Sequence, residues 1–201
     1  MKIKIGLFLG SKPNWGGTFQ YNQTILNALF ALPKTQYDIV IVYTYKEWMN
    51  YIEKDHFDHI YISNYSYQKV ISDALHLIGV SAEICRDFFP YFLSVSKIMI
   101  TQKCDLWIFP SQDVFSYQIP VPALVSILDL MHRYEPEFPE VSSIGRYRIR
   151  ERRYKNICKW SKGVIVESNT GKQQVIESYA LDPKKIHVLP LIAPEYILAD
   201  Y

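Results

Sequence analysis

Two stretches of the sequence carry residues whose types and spacing could do chemistry. The first, Gly10-Ser11-Lys12-Pro13-Asn14-Trp15-Gly16-Gly17-Thr18, follows a short alternating apolar run. Glycines between a first strand and its helix let backbone N–H groups approach a phosphate at the helix N-terminus, and Lys12 would add a cation. The plainer reading of the same residues is a strand-to-helix loop capped by Thr18, and the glycines alone do not choose between the two. Neither G-x-G-x-x-G nor G-x-x-x-x-G-K-[ST] occurs, which argues against a nicotinamide enzyme and a P-loop NTPase. The second stretch runs from Pro122 to Pro139 and sets Asp129, His132 and Arg133 directly after a buried apolar run. Open α/β sheets hold their ligands at that edge. Singly, Asp129 reads as a turn or cap residue and His132 as a partly buried histidine satisfied by backbone; the cluster makes the site reading more specific.

Other candidates are weaker. Glu135, Glu137 and Glu140 follow the same run, but hydrolysis by paired carboxylates needs two such groups flanking a sugar, and a solvated acidic loop accounts for them as well. His56-x-x-His59 has metal-ligand types without further ligands and reads as a turn. No Asp-x-Asp metal motif is present, and neither a metal nor a cofactor is expected.

These residues need elements to position them. Ile3, Ile5, Leu7 and Leu9 alternate as a strand, and Phe19, Ile25, Leu26, Leu29 and Phe30 recur at helical spacing before Pro33. Tyr37 to Thr44 is nearly all β-branched or aromatic, as in a strand buried on both faces of a parallel sheet. The pattern repeats: a strand at His59–Ile62, helices over Tyr67–Leu77 and Ala82–Gln102, and strands at Asp105–Phe109 and Ala123–Leu128. A helix over Ile144–Trp160, a strand at Gly163–Glu167, a helix over Thr170–Tyr179 and a strand at Ile186–Leu189 complete it. Alternating β and α elements with continuous apolar strands predict an α/β fold: a Rossmann-like, doubly wound, mostly parallel sheet. It forms a single domain over residues 1–190, with 191–201 as a linker or tail.

Composition agrees. The 201 residues are 49% hydrophobic and 21% charged, enough apolar side chains for one real core. A net charge of +2 gives no global attraction to polyanions, so any such affinity must come from a local patch. Cys85, Cys104 and Cys158 are odd in number and widely spaced, which offers no disulfide framework or CxxC motif and points to a reducing cytoplasm. The apolar runs are too short or too interrupted to span a membrane.

Two surface features add to this. Arg146, Arg148, Arg150, Arg152, Arg153, Lys155, Lys159 and Lys162 are opposed by Glu151 alone, on a helix whose apolar side is Tyr147, Tyr154, Ile157 and Cys158. A solvated helix is the plain reading, and contact with anionic lipid at the inner face of the membrane the sharper one. Phe88-Phe89-Pro90-Tyr91-Phe92 reads first as core packing and second as an aromatic wedge at a membrane interface. No nucleic-acid-binding motif accompanies these residues.

The run Asp129-Leu-Met-His132-Arg133-Tyr134-Glu-Pro-Glu-Phe138 resembles the acceptor-side segment of bacterial glycosyltransferases of family four, which have the GT-B fold. A Gly-Gly loop after the first strand, Asp105-Leu-Trp-Ile-Phe-Pro-Ser111, a basic helix, Val164-Ile-Val-Glu-Ser168-Asn-Thr-Gly-Lys172 and Lys185-Ile-His-Val-Leu-Pro190 follow in that family's order. The resemblance covers nearly the whole chain. It implies the N-terminal half of a retaining, metal-free glycosyltransferase, with a nucleotide-sugar donor and a glycan or lipid-linked acceptor. By the same resemblance Gly16, Gly17 and Thr18 lie against the donor diphosphate or transferring sugar, and Asp129, His132 and Arg133 line the acceptor cleft. Leu128 stands where members often have histidine, and no two glutamates are eight positions apart, so the Glu-x7-Glu motif of the donor domain has no counterpart. The chain is therefore expected to be half of an enzyme, inactive alone and completed by a separate C-terminal donor-binding domain. The rival from a different class is a non-catalytic binding module.

Overall fold

The computed structural model describes residues 2–14, 16–52, 57–143 and 145–192. The chain alternates strands and helices: β1 (Ile3–Leu9), α1 (Gly16–Phe30), β2 (Tyr37–Tyr43), β3 (Asp58–Tyr61), α2 (Tyr65–Leu77), α3 (Ala82–Phe92), α4 (Ser94–Thr101), β4 (Leu106–Phe109) and α5 (Phe115–Gln118). Then come β5 (Ala123–Ser126), α6 (Met131–Tyr134), α7 (Pro139–Ser142), α8 (Arg146–Trp160), β6 (Gly163–Val166), α9 (Asn169–Tyr179) and β7 (Ile186–Val188). One sheet of order β3-β2-β1-β4-β5-β6-β7 holds the seven strands of the described residues, every pairing among them parallel. The order reverses between β1 and β4, which defines the switch point of an open α/β sheet. This is the expected Rossmann-like single domain.

Side chains alternate across each strand, so β1 and β2 serve two cores. Ile5, Leu7, Leu9, Ile39 and Ile41 face α1, where Tyr21, Ile25, Leu26 and Leu29 are buried with Trp48. Phe8, Val40, Val42, Trp107, Phe109, Val125 and Val164 face the other helical layer. Gly6 opens room on that second face. It pairs with Trp107 on β4, and a Cβ at position 6 would come within 2.4 Å of the indole ring.

Several expectations are corrected. The single helix read over Ala82–Gln102 is two helices, α3 and α4: Pro90 sits within the last turn of α3, and the chain leaves the helix at Leu93, which is extended (φ −99°, ψ 126°). Gln68 of α2 secures the break: its side chain accepts the Val95 N–H at 2.9 Å and donates to Ser94 Oγ at 2.7 Å. The short helices α5, α6 and α7 were not legible as periodic patterns. Ile144, His56 and residues 193–201 lie outside the described residues, so the start read for α8, the His56/His59 pair and most of the tail are not placed. No described helix is long and apolar enough to cross a membrane.

Candidate functional site

The carboxyl ends of β5 and β6 frame a hollow of about 160 Å³, bounded by the residues after each strand and by the first turns of α9. The chain leaves β5 through Ile127 and turns at Asp129. Asp129 Oδ1 accepts the Met131 N–H at 3.1 Å, opening α6, and pairs with the Arg150 guanidinium from α8. On the next strand Glu167 emerges beside it, followed by Ser168, whose hydroxyl caps α9 by accepting the Gly171 N–H at 3.0 Å. Asp129, Glu167, Ser168, Tyr134 and Glu135 all line the hollow. Partial burial raises the Glu167 pKa, and the neighbouring Asp129 charge raises it further.

The start of α1 reaches the same edge. Tyr21 in its second turn shares a 3.0 Å hydrogen bond with Ser126 at the end of β5, and its pKa is raised by burial and by the nearby Glu167. Gly17 lies one turn earlier on that helical face, further toward the carboxyl edge. Gly16 has φ +47°, a left-handed conformation that favours glycine, and a Cβ at either position would meet nothing within 4 Å beyond its chain neighbours and its own helical turn. The backbone here is open to an approaching group. Beneath it, Asn22 Nδ2 donates to Ser11 Oγ at 2.5 Å, and the Trp48 indole N–H donates to the Ser11 carbonyl at 2.8 Å. These bonds pin the loop after β1 to α1 and to the segment after β2.

The structure thus brings Asp129 to the sheet edge that also carries Gly16, Gly17 and Thr18. Lys12 lies elsewhere, in a separate hollow with Pro13, Asn14, Glu47, Asn50 and Tyr51. His132 and Arg133 also part from Asp129, because residues 131–134 form a helical turn that swings successive side chains apart. His132 is fully buried, its ring beside those of Tyr147 and Tyr154, with Nε2 3.2 Å from Glu151 Oε2. Burial lowers its pKa, against the raising effect of Glu151. Arg133 donates through Nε and Nη2 to the Glu151 carboxylate at 2.8 and 2.5 Å, and its guanidinium lies 5.0 Å from the centre of the Tyr179 ring. That pairing is the main cause that holds Glu151 below the usual carboxylate range. Together these residues form the joint between α6, α8 and α9, and neither lines the hollow with Asp129.

Glu167 and Arg150 were missed as site residues. The signal for Glu167 was available: it follows β6 as Asp129 follows β5. Arg150 had no such signal, since it is one of many cations on its helix and is distinguished only by where α8 packs.

The raised Glu167 pKa has a consequence for stability. The folded chain holds this proton more tightly than the unfolded chain, so stability falls as pH rises through the unfolded pKa toward the folded one and stays lower above it. Glu167→Gln imitates the protonated side chain. It is expected to raise the melting temperature near neutral pH by roughly 1–2 °C, a small effect because water still reaches the group, and to change nothing below about pH 4. Melting curves at both pH values check this; equal curves at neutral pH would contradict it.

No family model matches the chain, and no curated protein matches it. Solved structures do. It is similar to a putative UDP-N-acetylglucosamine 2-epimerase from Listeria monocytogenes, with a TM-score of 0.55 at 15% identity over 94% of this chain and 45% of that one. It is similar to the MnaA–UDP structure from S. aureus, with a TM-score of 0.51 at 13% identity over 94% and 43%. A glycosyltransferase from Rickettsia africae ESF-5 aligns over 99% of this chain and 48% of its own at 14% identity, with a lower TM-score of 0.46. At these identities the likeness is one of fold, and the chain spans less than half the length of each of these structures.

Proposed function

We propose that this chain is the acceptor-side, N-terminal half of a GT-B-type glycosyltransferase that moves a sugar from a nucleotide-sugar to a glycan or lipid-linked acceptor with retention of configuration. The observation that carries the reading is the shared edge. The open backbone at Gly16 and Gly17 and the carboxylate of Asp129 stand at the carboxyl ends of parallel strands, in the fold of a protein solved with UDP. In this reading the N–H groups at the start of α1 face the donor diphosphate or the transferring sugar, where oriented donors stabilise developing negative charge. Asp129, held by Arg150 and the Met131 N–H, accepts a hydrogen bond from the acceptor hydroxyl. His132 and Arg133 act one step back, by fixing the α6 turn that presents Asp129.

The test is Asp129→Asn in the chain supplied with a donor-side domain. Removing the charge while keeping the shape is expected to lower kcat about 10²–10⁴-fold, with a smaller change in the nucleotide-sugar KM. Unchanged kcat would overturn the assignment. A second reading, sugar-nucleotide epimerisation, is favoured by one observation: Asp129 and Glu167 form a carboxylate pair with one pKa raised, as proton removal and return would need. Solvent deuterium appearing in UDP-N-acetylglucosamine, without transfer to any acceptor, would select it.

A further inference from the structure

The α2–α3 hairpin carries an apolar ridge that nothing in the fold covers. On α3, Ala82, Cys85 and Phe89 turn inward, while Ile84, Phe88, Tyr91 and Phe92 fall at i, i+4, i+7 and i+8 on the opposite face. With Leu77 and Ile78 at the end of α2, these side chains are between 50% and 76% exposed. The aromatic run read from sequence chiefly as core packing therefore sends only Phe89 into the core. An exposed ridge of this kind marks a surface that meets something.

A row of cations borders it. Arg148, Arg152, Lys155 and Lys159 follow at i, i+4, i+7 and i+11 along α8, all exposed, while Tyr154, Ile157 and Cys158 take the buried side. Two of the row attach to the hairpin itself. Arg152 Nη1 donates to the His76 carbonyl at 2.6 Å, and Lys159 Nζ pairs with Glu83 of α3 at 2.7 Å. The row and the ridge are thereby fixed side by side. Acidic groups nearby stand beside cations: Asp73 with Lys69 and Arg153, Asp87 with Arg86.

We propose that this surface docks the protein on an anionic lipid bilayer, the α3 ridge entering the interface and the α8 row lying over the headgroups. Aromatic and aliphatic side chains flanked by Lys and Arg suit the boundary between acyl chains and anionic headgroups. A second copy of the chain would have no use for the row of cations, which a bilayer of anionic headgroups matches by charge. The proposal is independent of the sugar-transfer reading, because vesicle binding and turnover are separate measurements.

The experiment is co-sedimentation of the full chain with vesicles of phosphatidylcholine, or of phosphatidylcholine mixed with phosphatidylglycerol. Binding is expected to the mixed vesicles and to weaken with salt. Each Lys or Arg beside an anionic surface adds roughly fivefold to partitioning, so Arg148→Glu with Lys155→Glu should cut binding at least ~25-fold. Phe88→Ser with Phe92→Ser should cut it about tenfold. All four side chains are exposed, and melting curves confirm that the variants fold. Equal binding to both vesicle types, binding unmoved by either pair of substitutions, or no binding at all would overturn the proposal. So would a stable dimer that the phenylalanine substitutions dissociate, which would assign the ridge to a second copy.

Discussion

Gly6→Ala is expected to destabilise the fold by about 3 kcal/mol, near the top of the usual range for overpacking a core. The new methyl would lie 2.4–2.6 Å from three atoms of the Trp107 indole, and that residue is fully buried in the core. Relief would require a shift of the β1–β4 pairing, which also sets the switch point. For a domain of this length the loss corresponds to a fall of roughly 6–12 °C in Tm. A double-mutant cycle separates a clash from a backbone effect. Trp107→Leu alone should cost about 2–4 kcal/mol through the cavity it leaves, but with Gly6→Ala the methyl occupies part of that space, and the pair should cost at least ~1 kcal/mol less than the sum. Additive losses would place the effect in the backbone. A Gly6→Ala melting curve within a degree of the parent would refute the clash.

The same pair shows what could be read from sequence and what could not. Ile3 to Leu9 announced a strand by alternation, and Tyr37 to Thr44 by its nearly continuous β-branched and aromatic run; β1 and β2 are found there, at Ile3–Leu9 and Tyr37–Tyr43. Period and composition act locally, so they survive without coordinates. That Gly6 is small because Trp107 lies across it is a fact about two residues a hundred positions apart, joined only by the parallel pairing of β1 with β4. The division of Ala82–Gln102 failed for a related reason. Pro90 was visible, but what holds the chain open after it is Gln68, reaching from another helix to satisfy the Val95 N–H.

The site was legible to the same degree. The rule that ligands gather at the carboxyl edge placed Asp129 and the Gly16–Gly17 loop on one side of the sheet, and both stand on that edge. It treated the residues after Asp129 as one extended cluster, and the α6 turn separates them: Asp129 faces the hollow while His132 packs against Tyr147, Tyr154 and Glu151. A four-residue helix is too short to leave a periodic signature, so only the structure could distinguish the half-exposed carboxylate from the buried imidazole. The basic helix was likewise read as a uniform row. In the fold its cations divide by partner: Arg150 turns to Asp129, Arg153 to Asp73, Arg152 and Lys159 to the α2–α3 hairpin, while Arg148 and Lys155 are exposed.

Turnover itself should depend on what faces this edge. The chain by itself is expected to transfer no measurable sugar from any nucleotide-sugar, and to gain turnover when a matching donor-side domain is supplied in trans or by fusion. The solved structures it resembles are more than twice as long as the aligned part, and in the proposed arrangement the remainder would hold the base, the ribose and most of the sugar. In that arrangement the described residues would offer one wall, with Gly16, Gly17 and Asp129 on the same edge of the sheet. Holding both reactants in attacking geometry supplies ~7–11 kcal/mol in favourable cases, and only interactions stronger in the transition state than in the ground state raise kcat. A wall that positions the acceptor alone forfeits most of that advantage. The measurement is transfer of radiolabelled sugar to oligosaccharide and lipid-linked acceptors, with and without the added domain, and with Asp129→Asn in parallel. Turnover by the 201-residue chain alone would refute the half-enzyme reading. Silence with the domain present, across several donors and acceptors, would leave the non-catalytic binding module as the better account, because a site can bind a sugar that it does not convert.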